Sequence, residues 1–103
     1  MDIYKINITE KAYDDIENIY DYIYYKQDPV KAKEKYERIK EKILKLDNMP
    51  YRFQQVQVEG NPYTQLRYMV VEKYVILFLI REETKEVTVR RVLFASSNWK
   101  NNL

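Results

Sequence analysis

With 103 residues, 46% of them hydrophobic and 33% charged, the chain has the size and balance of a single folded domain, residues 1–103, rather than of a disordered or membrane-embedded segment. It contains no cysteine and no histidine, which removes disulfides, thiolate chemistry, the usual zinc sites and imidazole acid–base catalysis. The net charge of +2 is too small to argue for nucleic acid, but it is unevenly spread: residues 1–28 carry seven acids and three lysines, residues 29–52 eight basic residues and four acids. No basic opening followed by an apolar run marks a leader, and no stretch approaches the ~20 apolar residues that cross a bilayer. The expected location is therefore the cytoplasm, with no membrane contact.

In chain order, Ile3 to Ile8 alternates in polarity and predicts a short strand able to pair at the edge of a sheet. Thr9 then reads as an N-cap with Glu10 in the first turn, where its charge suits the helix dipole. Ala12, Ile16, Ile19, Tyr20 and Ile23 fall on one helical face, which predicts an amphipathic helix ending near Lys26. Asp28-Pro29 is the next start signal, an acidic N-cap before a proline whose missing N–H is harmless at N1. Ala32, Tyr36, Ile39, Ile43 and Leu46 form the apolar stripe of a second helix, and the lysines lie mostly off it. The two helices are expected to pack as a hairpin. Met49-Pro50 stops the second one, and residues 51–61 read as irregular, closing on the turn signal Gly60-Asn61-Pro62.

Three β segments follow, predicted over Tyr63–Val71, Lys73–Glu82 and Glu86–Phe94, with connections short enough to make an antiparallel meander. Alternation sets Leu66, Tyr68 and Val70 against Tyr63, Gln65, Arg67 and Met69 in the first. In the third it sets Val87, Val89, Arg91 and Leu93 against Thr88, Arg90, Val92 and Phe94. Tyr74 to Ile80 is apolar at every position, as in a central strand covered on both faces. The plan is an α+β domain, β-α-α-β-β-β, with a helical hairpin on one face of an antiparallel sheet. Two helices cover one face only, so the second face is expected to lack cover, which invites a partner segment. The tail after Phe94 is polar except for Trp99 and Leu103, and its order is left open.

Arginines are the chief candidates for chemistry. Arg67 and Arg90 are expected to project together from the face away from the helices, where a guanidinium holds phosphate in bidentate geometry; solvated arginines on an open sheet look the same. Arg91 is expected to turn toward the helices and pair with Glu17 or Asp21, a structural role. Lysines along the second helix suit phosphate contacts, but interspersed Glu34, Glu37 and Glu41 also describe a solvated face. Tyr22, Tyr24, Tyr25, Tyr51 and Tyr63 are expected to be more exposed than Tyr20, Tyr36 and Tyr68, and exposed aromatics suit either bases or a protein partner. No glycine-rich phosphate loop, nucleophile elbow or metal-spaced acid cluster is present.

In order and spacing, the segments EKAYDDIENIYDYI, DPVKAKEKYERIKEKILKLDNMPYRF, LRYMVVEKYVILFLI and VTVRRVLFASSNW resemble the RelE/ParE superfamily, the toxic partners in bacterial type II toxin–antitoxin pairs. The resemblance covers nearly the whole chain and implies the same β-α-α-β-β-β fold. In the superfamily's ribosome-dependent mRNA endonucleases, basic residues on the concave sheet face bind and cleave the message, and Arg67 matches the arginine of the second-strand motif. Many members end the last strand in a histidine or arginine, with another arginine soon after; this chain has Phe94 and Ser97 there. Phe94 cannot transfer a proton and Ser97 cannot hold a phosphate as a cation. Lys73, Tyr63 and Glu59 are the nearest substitutes in sequence. The helical hairpin is most similar to the ParE branch, which is associated with inhibition of DNA gyrase without nuclease activity, and Trp99 matches an aromatic seen after the last strand in many members.

The resemblance therefore implies a growth-inhibiting toxin neutralised by a cognate antitoxin, with DNA gyrase the favoured target and Arg67, Arg90, Phe94 and Trp99 as target-binding candidates. The alternative it implies is a ribosome-dependent mRNA endonuclease acting through Arg67, Arg90 and Tyr63. A third reading is an inert member that binds only its antitoxin. Operator DNA is expected to be met only through the antitoxin complex, and no cofactor or metal is implied.

Overall fold

Thr9 ends the first strand and caps the first helix, so β1 (Lys5–Ile8) runs directly into α1 (Glu10–Lys26). Its side chain accepts from the Ala12 N–H at 3.1 Å. α2 (Pro29–Leu44) starts on Asp28, which accepts from the Val30 N–H at 2.6 Å. After two short 3₁₀ turns come β2 (Arg67–Val71), β3 (Tyr74–Arg81) and β4 (Glu86–Phe94), and a 3₁₀ turn (Trp99–Asn102) ends the tail. The computed structural model describes residues 3–57, 60 and 65–102. Tyr63, Glu59 and the turn beyond Gly60 lie outside the described residues.

The sheet order is β1-β4-β3-β2. β2, β3 and β4 form the expected antiparallel meander, but β1 joins β4 in parallel, so the sheet is mixed rather than wholly antiparallel. Segment 54–56 adds a further short pairing outside β2, with Val56 N–H donating to Leu66 O at 2.7 Å and Tyr68 N–H to Gln54 O at 3.0 Å. Part of the stretch expected to be irregular thus protects an edge.

On one face the helices lay Ala12, Ile16, Ile19, Ile23, Ala32, Ile39 and Ile43 against Met69, Val71, Tyr74, Ile76, Phe78, Val87, Val89 and Val92. Each large apolar side chain fully buried there contributes about 1.5–3 kcal/mol. The other face has its own small core of Val56, Val75, Leu77 and Trp99, joined by half-buried Leu66, Tyr68 and Leu93. The expectation that this face lacks cover is corrected: Val75 and Leu77 are 2% and 0% exposed. The tail supplies the cover, because turns at Ser97 and Asn101 bring Trp99 back over the sheet, its ring 6.0 Å from that of Tyr68.

β4 also departs from simple alternation. Leu77 pairs with Arg91 but the next residue, Phe78, pairs with Val89, so a bulge leaves Arg90 unmatched. That extra residue moves Val92 to the helix side and Leu93 to the other, the reverse of their expected faces. Beyond Val89 β1 has ended, and Asp15 of α1 takes over the outer edge of β4. Its carboxylate accepts from the Val92 N–H at 3.0 Å and from Arg91 Nε and Nη2 at 2.7 and 3.0 Å. Arg91 is structural as expected, but its partner is Asp15, not Glu17 or Asp21. The hydrogen bond to Asp15 raises the Arg91 pKa further above its ordinary value.

Because Asp15 satisfies both a guanidinium and a backbone N–H, Asp15→Ala is expected to destabilise the protein by about 2–3 kcal/mol and Arg91→Ala by about 1–2. Both lie below the ~3–5 kcal/mol of a fully buried pair, since the side chains keep 12% and 29% of their exposure. Urea melts of the two variants check the order; a larger loss for Arg91→Ala would mean that the edge N–H contributes nothing.

Candidate functional site

The structure separates the residues expected to act together. Arg67 pairs with Phe78 and follows Met69 and Val71 onto the helix side of the sheet, not the open side. It sits past the end of the helical cover, where residues 51–53 close over it. Its Nη1 donates to Phe53 O at 2.6 Å and to Tyr51 O at 3.4 Å, and the guanidinium lies 5.1 Å from the centre of the Tyr51 ring. Arg67 is thus occupied in pinning that loop. Trp99 is likewise committed, 9% exposed in the second core. Tyr63 lies outside the described residues.

Arg90 does remain on the open face, because the bulge turns it out to solvent. It borders a polar hollow of about 340 Å³ with Gln65, Arg81, Thr88 and Tyr51. Part of the hollow's wall is a network that the sequence reading missed. Glu82 accepts from Tyr4 Oη at 2.8 Å and Tyr51 Oη at 2.9 Å and also pairs with Lys85. Hydrogen bonds from Lys85 first, then from the two phenols, hold its carboxyl down at about 2. Burial and the Glu82 carboxylate push the Tyr51 phenol above its ordinary value. The one available signal was Glu82 and Lys85 placed i,i+3 across the β3–β4 turn; Tyr4 and Tyr51 come from distant sequence.

Chemically, the hollow sets the guanidiniums of Arg81 and Arg90 beside the carboxylates of Glu82 and Glu83, with the Thr88 hydroxyl among them. The two groups of the network do not suit proton exchange near neutrality, because Glu82 is held ionised and Tyr51 is held protonated. Among the described residues no cluster of acids could hold a metal ion.

Phe94 lies elsewhere. It pairs with Tyr74 on the helix side and is flanked by Tyr22, at ring distances of 5.4 and 6.3 Å. These rings line a cleft of about 420 Å³ between the helical hairpin and the β2–β3 turn. The turn residue Glu72 has φ +54°, costly for a residue with a side chain. Its carboxylate is clamped by Lys35 and by Arg38 at 2.7 Å, and it titrates below the usual carboxylate range, chiefly through the Lys35 hydrogen bond.

A third surface runs along the other side of the hairpin. An apolar groove of about 540 Å³ lies between α1 and α2 over Tyr13, Ile16, Tyr20 and Tyr36. It continues into a smaller hollow of about 250 Å³ at Ile6, Ile8 and Leu44, beside β1. The Lys5 N–H donates to Lys85 O, just before β4, and the Thr9 N–H to Val89 O of β4, so the backbone groups of Ile6 and Ile8 point to the free side of the strand. Of the tyrosines, Tyr22, Tyr24, Tyr25 and Tyr51 are exposed as expected, while Tyr36, expected on a core face, is 40% exposed at this groove.

Residues 6–99 match the profile of the ParE toxin of type II toxin–antitoxin systems. The chain belongs to the ParE toxin family. Among solved structures, the ParDE system of P. aeruginosa is 22% identical with a TM-score of 0.76, covering 91% of this chain and 98% of the other. The toxin–antitoxin complex RelBE2 of Mycobacterium tuberculosis is 19% identical with a TM-score of 0.62, covering 89% and 98%. The archaeal RelE–RelB complex of Pyrococcus horikoshii is 14% identical with a TM-score of 0.63, covering 91% and 97%. At these identities the likeness is one of fold. No curated protein matches in sequence. This ParE-family chain thus has the two helices and four-stranded mixed sheet of the RelE/ParE fold, and no described helix is long and apolar enough to cross a membrane.

Two outcomes test the roles assigned here. Arg67→Ala frees two backbone carbonyls and is expected to cost about 1–3 kcal/mol in a urea melt; an unchanged melt would release Arg67 for function. Glu82 has a folded pKa lowered to about 2, so its contribution to stability is complete above the unfolded carboxylate range of ~4.3 and is lost as pH falls from there through about 2. Carboxyl NMR should place its titration near 2, and Glu82→Gln should remove that part of the acid sensitivity.

Proposed function

We propose that this ParE-family toxin arrests bacterial growth in the cytoplasm by binding a macromolecular target, with DNA gyrase favoured, rather than by cutting RNA. The observation that carries this reading is the chemistry around Arg90. Cleavage by a 2′-hydroxyl needs a base for that proton and an acid for the leaving oxygen, groups that typically contribute ~10²–10⁴-fold. Arg90 and Arg81 offer charge alone, Arg67 is occupied by the 51–53 loop, and Phe94 stands at the end of the last strand. Arg90 and Phe94 are left as target contacts, while Arg67 and Trp99 keep the surfaces around them in shape.

The partner is a cognate antitoxin, as in the ParDE and RelBE pairs named for the similar structures. We place it on the groove between α1 and α2 and along the free side of β1. An amphipathic helix suits the first and an added strand the second, two ways in which peptides are commonly recognised. Operator DNA is met through that complex.

Two assays separate binding from cleavage. Purified toxin is expected to inhibit supercoiling by gyrase and to leave message intact on programmed ribosomes, as read from 5′ ends. Codon-dependent cuts that vanish in Arg90→Ala would make the endonuclease reading correct instead.

A further inference from the structure

The cleft between the helical hairpin and the β2–β3 turn combines exposure with rigidity. Tyr22 and Phe94 are 53% and 40% exposed, yet Phe94 is wedged between Tyr22, at an interplanar angle of 77°, and buried Tyr74, at 48°. Aromatic side chains already held in place lose little freedom when a partner packs on them, which is what makes such residues binding anchors.

The charges around the rings are unequal. Glu72 is engaged by Lys35 and Arg38. Lys31 and Lys73 also line the cleft and have no ion-pair partner among the described residues, with Glu34 the remaining acid there. The rim therefore carries surplus positive charge over an apolar floor. Nucleic acid fits this arrangement less well than protein. Base stacking uses open ring faces, whereas Phe94 is wedged at an angle between Tyr22 and Tyr74.

We propose that this cleft is where the toxin grips its target, taking an acidic peptide segment of a protein partner whose apolar anchor packs on Phe94 and Tyr22 while its carboxylates meet Lys31 and Lys73. The inference rests on the binding reading above. It goes further in assigning the target to a surface that shares no lining residue with the α1–α2 groove assigned to the antitoxin.

The test is induced expression of wild type, Phe94→Ala and the double variant Lys31→Glu/Lys73→Glu, with thermal melts of each purified protein. Phe94→Ala also loses packing on Tyr74, so the exposed lysine pair is the variant expected to keep its fold, melting within a few degrees of wild type. Both variants are expected to need at least about tenfold more protein to arrest growth, equivalent to a tenfold weaker complex. A folded double variant that arrests growth like wild type overturns the cleft and leaves the binding reading standing. Wild type that does not arrest growth, or that cuts message, overturns the binding reading and this inference with it. Fluorescence anisotropy with a random single-stranded oligonucleotide decides the partner class: binding lost in the double variant would assign the cleft to nucleic acid and overturn the peptide reading.

Discussion

β3 is apolar on both of its faces, and much of the molecule is arranged to keep water from it. Met69, Val71, Val87, Val89 and the two helices shield Tyr74, Ile76 and Phe78 on one side. On the other, Val75 and Leu77 would remain wet if the chain stopped at Phe94. Trp99 and Val56 close that side, which explains why a largely polar tail ends in a folded turn and why residues 54–56 pair with the edge of β2. The demand is the ordinary one of a central strand, met here by short pieces of chain where a larger protein would use a second layer of helices.

Much of this plan was legible in the residues, because local signals agreed with one another. Thr9 and Asp28-Pro29 mark helix starts that the structure reproduces, and β4 occupies the span its alternation suggested. What escaped depends on contacts distant in sequence. Nothing local reports the bulge at Arg90, which arises where β4 must satisfy β3 on one edge and Asp15 on the other. Arg67 looked free because a strand pattern shows that two faces exist without showing which is buried. Its face is decided by register against Phe78 and by a loop 14 residues upstream. Trp99 was matched through the resemblance, but no local periodicity showed that it folds back over the sheet, since a lone aromatic in a polar tail reads equally as an anchor or as a solvated residue.

The same distinction separates the candidate residues. Arginines were the visible chemistry of the sequence, yet two of the three considered are held by the fold, one by carbonyl oxygens and one by a carboxylate. Arg90 alone among them is left facing solvent, and it is left there by the irregularity that hid its neighbours' directions. The remaining surfaces were harder to foresee because they are composite. The groove needs α1, α2 and β1 together, and the aromatic cleft needs the end of α1, the start of α2, a hairpin turn and the last residue of β4.

Both hairpin turns place a residue with a side chain at φ +54°, Glu72 in one and Lys85 in the other, in a chain whose single glycine lies elsewhere. Each is also tied by charge, Glu72 to α2 and Lys85 to Glu82. Those ties lie at the surface, where mobile ions weaken Coulomb attraction over a Debye length of about 8 Å at physiological ionic strength and about 3 Å at 1 M. The backbone strain does not change with salt, but the restraint opposing it does. Concentrated electrolyte should therefore relax the two ends of β3 while its dry middle stays intact, and the aromatic wedge beside Glu72 would be among the first parts of the surface to feel it.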